Sequence, residues 1–123
     1  MLSRQDELYS EELNRDITDT EEKIEALRHS IKQIGMDDED ASGIIWSSKR
    51  DIEEIFECFR GSDVERFANL IDHDCDDTIY NVRRMSEEIH DDLCAERKRL
   101  DNRCEDLQCE LRILKARDES HGG

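Results

Sequence analysis

The longest uninterrupted stretch of the chain, residues 62–117, contains neither proline nor glycine and most constrains the possible fold. Its leucines at seven-residue spacing are Leu93, Leu100, Leu107 and Leu114. Cys104 and Leu111 each follow one of these leucines by four positions, so the spacing predicts one apolar seam along a helix. Upstream the stripe is less regular and shifts phase near Ile89 and Leu93. It runs there through Val64, Phe67, Ile71, Ile79, Val82, Met85 and Ile89.

A second apolar repeat predicts a first helix over residues 3–34. Its repeating positions alternate in steps of four and three, as in a coiled coil. They are Leu13, Ile17, Thr20, Ile24, Leu27, Ile31 and Ile34. Ser3 and Asp6 resemble a capping box at the start of this helix, and Gly35 is a natural residue to follow its last turn.

The next segment, residues 35–47, is acidic, then small, then abruptly apolar, which favours the loop of a helical hairpin. Trp46 stands near its end, where it would either close the hairpin or face a partner. A second helical arm is predicted over residues 48–117, beginning with a helix at 48–60.

Gly61 is a possible break in this arm, because Ser62 and Glu65 resemble a fresh capping box that opens the long helix at 62–117. A glycine inside a helix costs only about 1 kcal/mol, so a continuous helix through Gly61 is the alternative. Residues 118–123 predict a frayed tail. The fold class expected is therefore all-α: one elongated helical hairpin or coiled coil that forms a single domain over residues 1–123.

Charge excludes several kinds of partner. Charged residues make up 42% of the chain and give it a formal net charge of -16. Nucleic acid and anionic membrane surfaces would be repelled, whereas a basic protein surface would be attracted. No apolar run reaches the length of a membrane span, and none resembles a secretory leader. Five cysteines without a CxxC pair favour reduced thiols, so we expect a cytoplasmic protein, exported, if at all, without a Sec signal peptide.

The motifs that carry chemistry are weak. Residues 38–49 and 72–83 match the early positions of EF-hand loops, but Lys49 and Arg83 occupy the final position, where a bidentate glutamate binds calcium. A degenerate calcium module is therefore only an alternative. No nucleophile elbow, phosphate-binding glycine loop or HExxH motif is present. We expect a non-catalytic protein with neither a metal site nor a cofactor.

The apolar stripes indicate a partner. The first predicted helix is much shorter than the second arm, so it cannot cover the carboxyl-terminal leucines. Those leucines would then pack against another chain, with phenylalanines near the bend contributing. The predicted partner-binding residues are Phe56, Phe59, Phe67, Leu93, Leu100, Leu107, Leu111 and Leu114. A homodimeric structural coiled coil is the alternative.

Two segments resemble a known family: FECFRG at residues 56–61 and SEEIHDDLCAERKRL at residues 86–100. Together with the acidic helical pattern, they are similar to the LXG-toxin-associated proteins, small helical targeting factors of the Gram-positive type VII secretion system with a WXG100-like hairpin. The resemblance implies an adaptor or chaperone that binds the helical amino-terminal LXG domain of a secreted toxin. It also implies a second small WXG100-like helical protein in the complex, and targeting of that complex for secretion.

Overall fold

The computed structural model describes residues 3–59 and 61–122, and their fold is all-α. Helix α1 spans Arg4–Glu57 and helix α2 spans Ser62–Gly122. The two helices pack against each other as a hairpin, and the described residues contain no strand. The predicted fold class is thus confirmed.

The predicted loop over residues 35–47 is wrong, because that segment lies inside α1. Its glycines, Gly35 and Gly43, have open space where a Cβ would stand, so neither is required by a close approach of backbone. The helical stripe continues through the segment on half-buried positions, including Ala41 and Ile45. Packing of this stripe offsets the modest cost of a glycine in a helix, about 1 kcal/mol each.

The chain turns instead around Gly61, which has a φ of 144° and so adopts a backbone conformation that favours glycine. At the end of α1, the amide of Phe59 donates to the carbonyl of Phe56 over 3.1 Å, which tightens the last turn. The amide of Glu65 donates to the carbonyl of Gly61 over 3.0 Å. Gly61 therefore caps α2, one position before the predicted cap at Ser62.

The outer ends of the two helices agree only partly with prediction. Ser3 caps α1 as expected, since its hydroxyl accepts a hydrogen bond from the amide of Asp6 over 3.1 Å. Residues 118–122 continue α2, so the predicted frayed tail is wrong for all of it except Gly123, which lies outside the described residues. Arg60, the last residue of the predicted helix over 48–60, also lies outside them.

The chain divides into two compact units. Unit 1 comprises Met1–Ser30 and Leu93–Gly123, and unit 2 comprises Ile31–Asp92. Unit 1 has a continuous apolar core, made of Leu13, Ile17, Ile24, Leu100, Cys104, Leu107 and Leu114. In unit 2, Ile79 is the one buried apolar residue among those described. Most of the side chains along the seam of this unit, where α1 and α2 face each other, are half-buried.

Candidate partner-binding surface

The carboxyl-terminal leucines predicted to bind a partner lie in the core of unit 1. Leu100, Leu107 and Leu114 are buried in the cluster that includes Leu13 and Ile17 of α1, and Leu111 packs against that cluster. Leu93 is half-buried. The reason for predicting a partner here no longer holds, because α1 extends to Glu57 and is not the short helix that the sequence suggested. Contact between these leucines and another chain stays a prediction.

The three phenylalanines near the turn differ from one another in exposure. Phe56 is half-buried and meets Phe67 edge to face, with ring centroids 5.9 Å apart and an angle of 75° between the planes. This arrangement is the favourable one for two aromatic quadrupoles. Phe59 and Phe67 are both exposed, so they remain accessible to a partner.

Exposed apolar side chains are concentrated in unit 2. Of the thirteen large apolar residues that are exposed among those described, ten lie in unit 2 and three, Leu8, Tyr9 and Ile113, lie in unit 1. The ten are Met36, Ile44, Trp46, Ile55, Phe59, Phe67, Leu70, Tyr80, Met85 and Ile89. Large side chains thus face outward in the unit whose own core is thin, which is typical of a surface that another protein covers.

One side of unit 2 carries a groove between α1 and α2. It has a volume of about 280 Å³. Ile44 and Ser48 line its α1 side, and Asp74 and Thr78 line its α2 side. The hydroxyl of Thr78 donates to the carbonyl of Asp74 over 2.8 Å, so this polar group is already satisfied within α2. The half-buried side chains that complete the lining are Ile45, Ile71 and Cys75.

Several of the exposed apolar residues lie on the same side as this groove. Residues 7 or 11 positions apart share one side of an α-helix, because those spacings are close to two and three whole turns. By this rule Ile55 lies beyond Ile44 on α1. On α2, Phe67 and Met85 lie 7 positions before and 11 positions after Asp74. Ile89 lies 11 positions after Thr78, which also lines the groove. We call the resulting surface the groove face; its exposed apolar members are Ile44, Ile55, Phe67, Met85 and Ile89.

Only Phe67 of the groove face belongs to the predicted partner-binding set. Met85 and Ile89 were assigned by spacing to the apolar stripe of the second arm but not to the partner-binding set, and both are exposed. The half-buried seam positions of α2 carry smaller side chains instead, among them Ala68 and Ser86. One signal in the sequence could have located the groove face. Ile44 and Ile55 are 11 positions apart and so share one side of a helix, which could have been interpreted as an exposed side rather than as a buried one.

A charged cluster joins the two helices within unit 2. The ammonium of Lys49 lies 2.9 Å from a carboxylate oxygen of Asp76 and 3.4 Å from one of Asp72. The same ammonium lies 4.8 Å from the ring centroid of Trp46, a cation–π distance. The hydrogen bond with Asp76 raises the pKa of Lys49 above its usual value, with the charge of Asp72 adding to the effect. Lys49 of α1 thus stands opposite Asp72 and Asp76 of α2.

The seam of unit 2 also contains polar atoms without partners. Asp38 Oδ1 and Ser42 Oγ are buried and have no hydrogen-bond partner among the described residues. Asp38 lines a pocket of about 160 Å³ together with Ser86 and His90 of α2. Buried polar atoms of this kind weaken a core, which agrees with the small number of buried apolar residues in unit 2.

Calcium binding is not supported by the fold. Residues 38–49 and 72–83, which match early EF-hand positions, are both continuous α-helix. A calcium loop folds its ligands around the ion, whereas side chains two positions apart on a helix diverge. Among the described residues, no three or more His, Cys, Asp or Glu side chains are grouped to hold a metal ion. That the chain is not an enzyme stays a prediction.

Neither helix, over the residues described, has a stretch long and apolar enough to cross a bilayer. Comparison of the chain with protein-family models, with curated proteins and with solved structures gives no match.

Proposed function

We propose that this chain is a non-catalytic helical adaptor that binds helices of a partner protein. The observation that supports the proposal most directly is the group of five exposed apolar side chains of the groove face, in the unit that holds ten of the thirteen exposed large apolar residues among those described. Isolated apolar side chains on a surface are ordinary, but a group of large ones beside an open groove favours a docking site.

The geometry of two packed helices explains why a further helix is a suitable partner. Two helices cover each other along one stripe only, so a second apolar stripe on either helix needs another element to cover it. In unit 2 the groove face supplies such a stripe on both α1, at Ile44 and Ile55, and α2, at Phe67 and Met85. An amphipathic helix lying along the two would complete a three-helix arrangement.

The resemblance to LXG-toxin-associated proteins suggests which partner to test first. In this proposal the adaptor, or chaperone, binds the helical amino-terminal LXG domain of a secreted toxin together with a second small WXG100-like protein, and targets the complex for type VII secretion. Assembly in the cytoplasm belongs to the same proposal. It agrees with the cysteine pattern of the sequence, which has five cysteines and no CxxC pair.

The test is affinity purification of the full, tagged chain from its native host, with mass spectrometry of the proteins that accompany it. We expect an LXG-domain toxin and a second small helical protein. The purified proteins would then be recombined, and the mass of the complex measured by light scattering. Recovery of the chain alone, as a stable dimer whose mass does not change when LXG domain is added, would refute the adaptor and favour a homodimeric structural coiled coil.

A further inference from the structure

The charges around the groove face identify the chemistry of its occupant, an inference that rests on the proposed adaptor function. Unit 2 contains 18 Asp and Glu against 7 Lys and Arg, a net charge of -11, out of -16 for the whole chain. The acidity of the protein is thus concentrated in the unit that exposes the apolar side chains.

Acidic residues also lie on the side of each helix that carries the groove face, between or beyond its apolar members. On α1, Asp37 and Asp51 stand 7 positions before and after Ile44. On α2, Asp92 stands 7 positions after Met85. We call the full set the acidic rim; it consists of Asp37, Asp40, Asp51, Asp63, Asp74 and Asp92, all exposed.

The acidic rim is not neutralised by ion pairs, although Asp37 accepts a hydrogen bond from the Gln33 amide over 2.9 Å. None of its six carboxylates forms an ion pair with a described Lys or Arg; the ion pairs of unit 2 involve other residues, such as Lys49 with Asp76. Arg66 and Arg84 stand one position from Phe67 and Met85 respectively, about 100° around the helix from the groove face. The apolar side chains of the groove face therefore stand among carboxylates that no described Lys or Arg pairs with.

We propose that the groove face binds a basic amphipathic helix of another polypeptide. The apolar stripe of that helix would cover the groove face, and its Lys and Arg would lie against the acidic rim. Phe67 and Ile89 are 22 positions apart, about 33 Å along α2, which matches a partner helix of about 20 residues. A second copy of this chain fits less well, because it would bring the same six carboxylates against the rim.

The probe for the test is a fluorescent 20-residue peptide with a leucine stripe flanked by lysines. Its controls are the same peptide with glutamate in place of lysine and a scrambled version of the lysine peptide. Binding to the full chain is measured by fluorescence anisotropy at low and high salt. We expect the lysine peptide to bind at least 10-fold more tightly than either control, and to weaken as salt screens the rim.

The decisive variant is Ile44→Gln combined with Met85→Gln, which removes two apolar anchors without changing charge. Both side chains are more than three-fifths exposed, at 67% and 62%, so the fold does not depend on them. We expect this pair to weaken the lysine peptide about 10-fold or more. The matched control is Tyr80→Gln, because Tyr80 is equally exposed, at 65%, but lies two positions from Thr78 and so faces away from the groove.

Three results would overturn this assignment. The first is an affinity of the double variant for the lysine peptide that is within twofold of the wild-type affinity. The second is equal binding of the glutamate peptide. The third is a dimer of the chain alone that the double variant converts to monomer, which would make a second copy the occupant.

Failure of the groove and failure of the adaptor can be told apart. If the natural partner recovered by purification still binds the Ile44→Gln, Met85→Gln variant, the groove face is not the binding site, and the proposed adaptor function is unaffected. If the LXG domain and its companion protein do not bind the wild-type chain, the adaptor is wrong whatever the peptide does.

Discussion

Two buried hydroxyls in this molecule should respond in opposite directions to the same substitution. Ser42 is 7% exposed, and its hydroxyl has no hydrogen-bond partner among the described residues. Thr20 is 5% exposed, and its hydroxyl donates to the carbonyl of Asp16 over 2.7 Å. We expect Ser42→Ala to stabilise the protein and Thr20→Ala to destabilise it.

The magnitudes follow from what each substitution removes. A buried polar group without a partner costs about 1–3 kcal/mol, and alanine is favoured over serine in a helix by about 0.5 kcal/mol. Ser42→Ala should therefore raise the free energy of unfolding by about 2 kcal/mol. Thr20→Ala loses a hydrogen bond worth about 1 kcal/mol and a buried methyl worth about 0.8 kcal/mol. It gains helix propensity by about 0.5 kcal/mol, as Ser42→Ala does. The expected net loss is about 1 kcal/mol.

The assay is urea unfolding followed by circular dichroism at 222 nm, with the slopes of the transitions compared to confirm that both variants unfold as wild type does. In thermal unfolding, Ser42→Ala should raise the melting temperature by several degrees. A loss of stability in Ser42→Ala would refute the reasoning, because it would show that this hydroxyl makes a favourable bond in solution.

Leu107→Ala should lower the free energy of unfolding in urea by about 2–5 kcal/mol, because it opens a cavity in the core of unit 1. Ile113→Ala, at an exposed position, is the control and should change it by less than about 0.5 kcal/mol. Equal effects would contradict the buried seam. In thiol labelling of the native protein near neutral pH, the exposed Cys109 should react early and Cys104 last, because burial shields Cys104 and raises the pKa of its thiol. Labelling of Cys104 at the rate of Cys109 would show that the core is open. Lys49, whose pKa is raised by its acidic partners, should stabilise the fold fully below its ordinary value of 10.5 and lose that contribution as the pH rises through the higher folded value. Lys49→Met should therefore show a smaller fall in melting temperature above pH 10.5 than wild type; an identical fall would mean that another group causes it.

Regular spacing made the seam of unit 1 predictable. Strict alternation from Leu13 onwards and the seven-residue leucine repeat identified the side of each helix that is buried. The carboxyl-terminal leucines of this seam were assigned to a partner only because α1 was predicted to end near Gly35. The error was therefore one of helix length, and it changed the inferred role of the leucines without changing the face on which they lie.

Unit 2 was harder to predict, because its seam does not use its largest apolar residues. Asp38, Ser42 and Lys49 occupy buried or half-buried positions of α1, which hid the continuation of the stripe. On α2, Phe67 and Met85 are exposed, although hydrophobicity alone would place them inside. Periodicity identifies an apolar face but does not say whether the same chain or another one covers it.

The uneven distribution of apolar side chains also has a consequence for the order in which contacts form. Phe56 and Phe67 meet across 11 positions of sequence, whereas Tyr9 and Glu110 are joined by a hydrogen bond across 101. Closing the longer loop from an unfolded chain costs about 2 kcal/mol more in chain entropy. The continuous core of unit 1 thus forms across the longest loops, whose closure loses the most chain entropy. The thin seam near the turn forms across short loops, whose closure loses little. Contacts near Gly61 can therefore form first and shorten the loop that the leucines of unit 1 must close. Folding would then proceed from the turn towards the two ends of the chain.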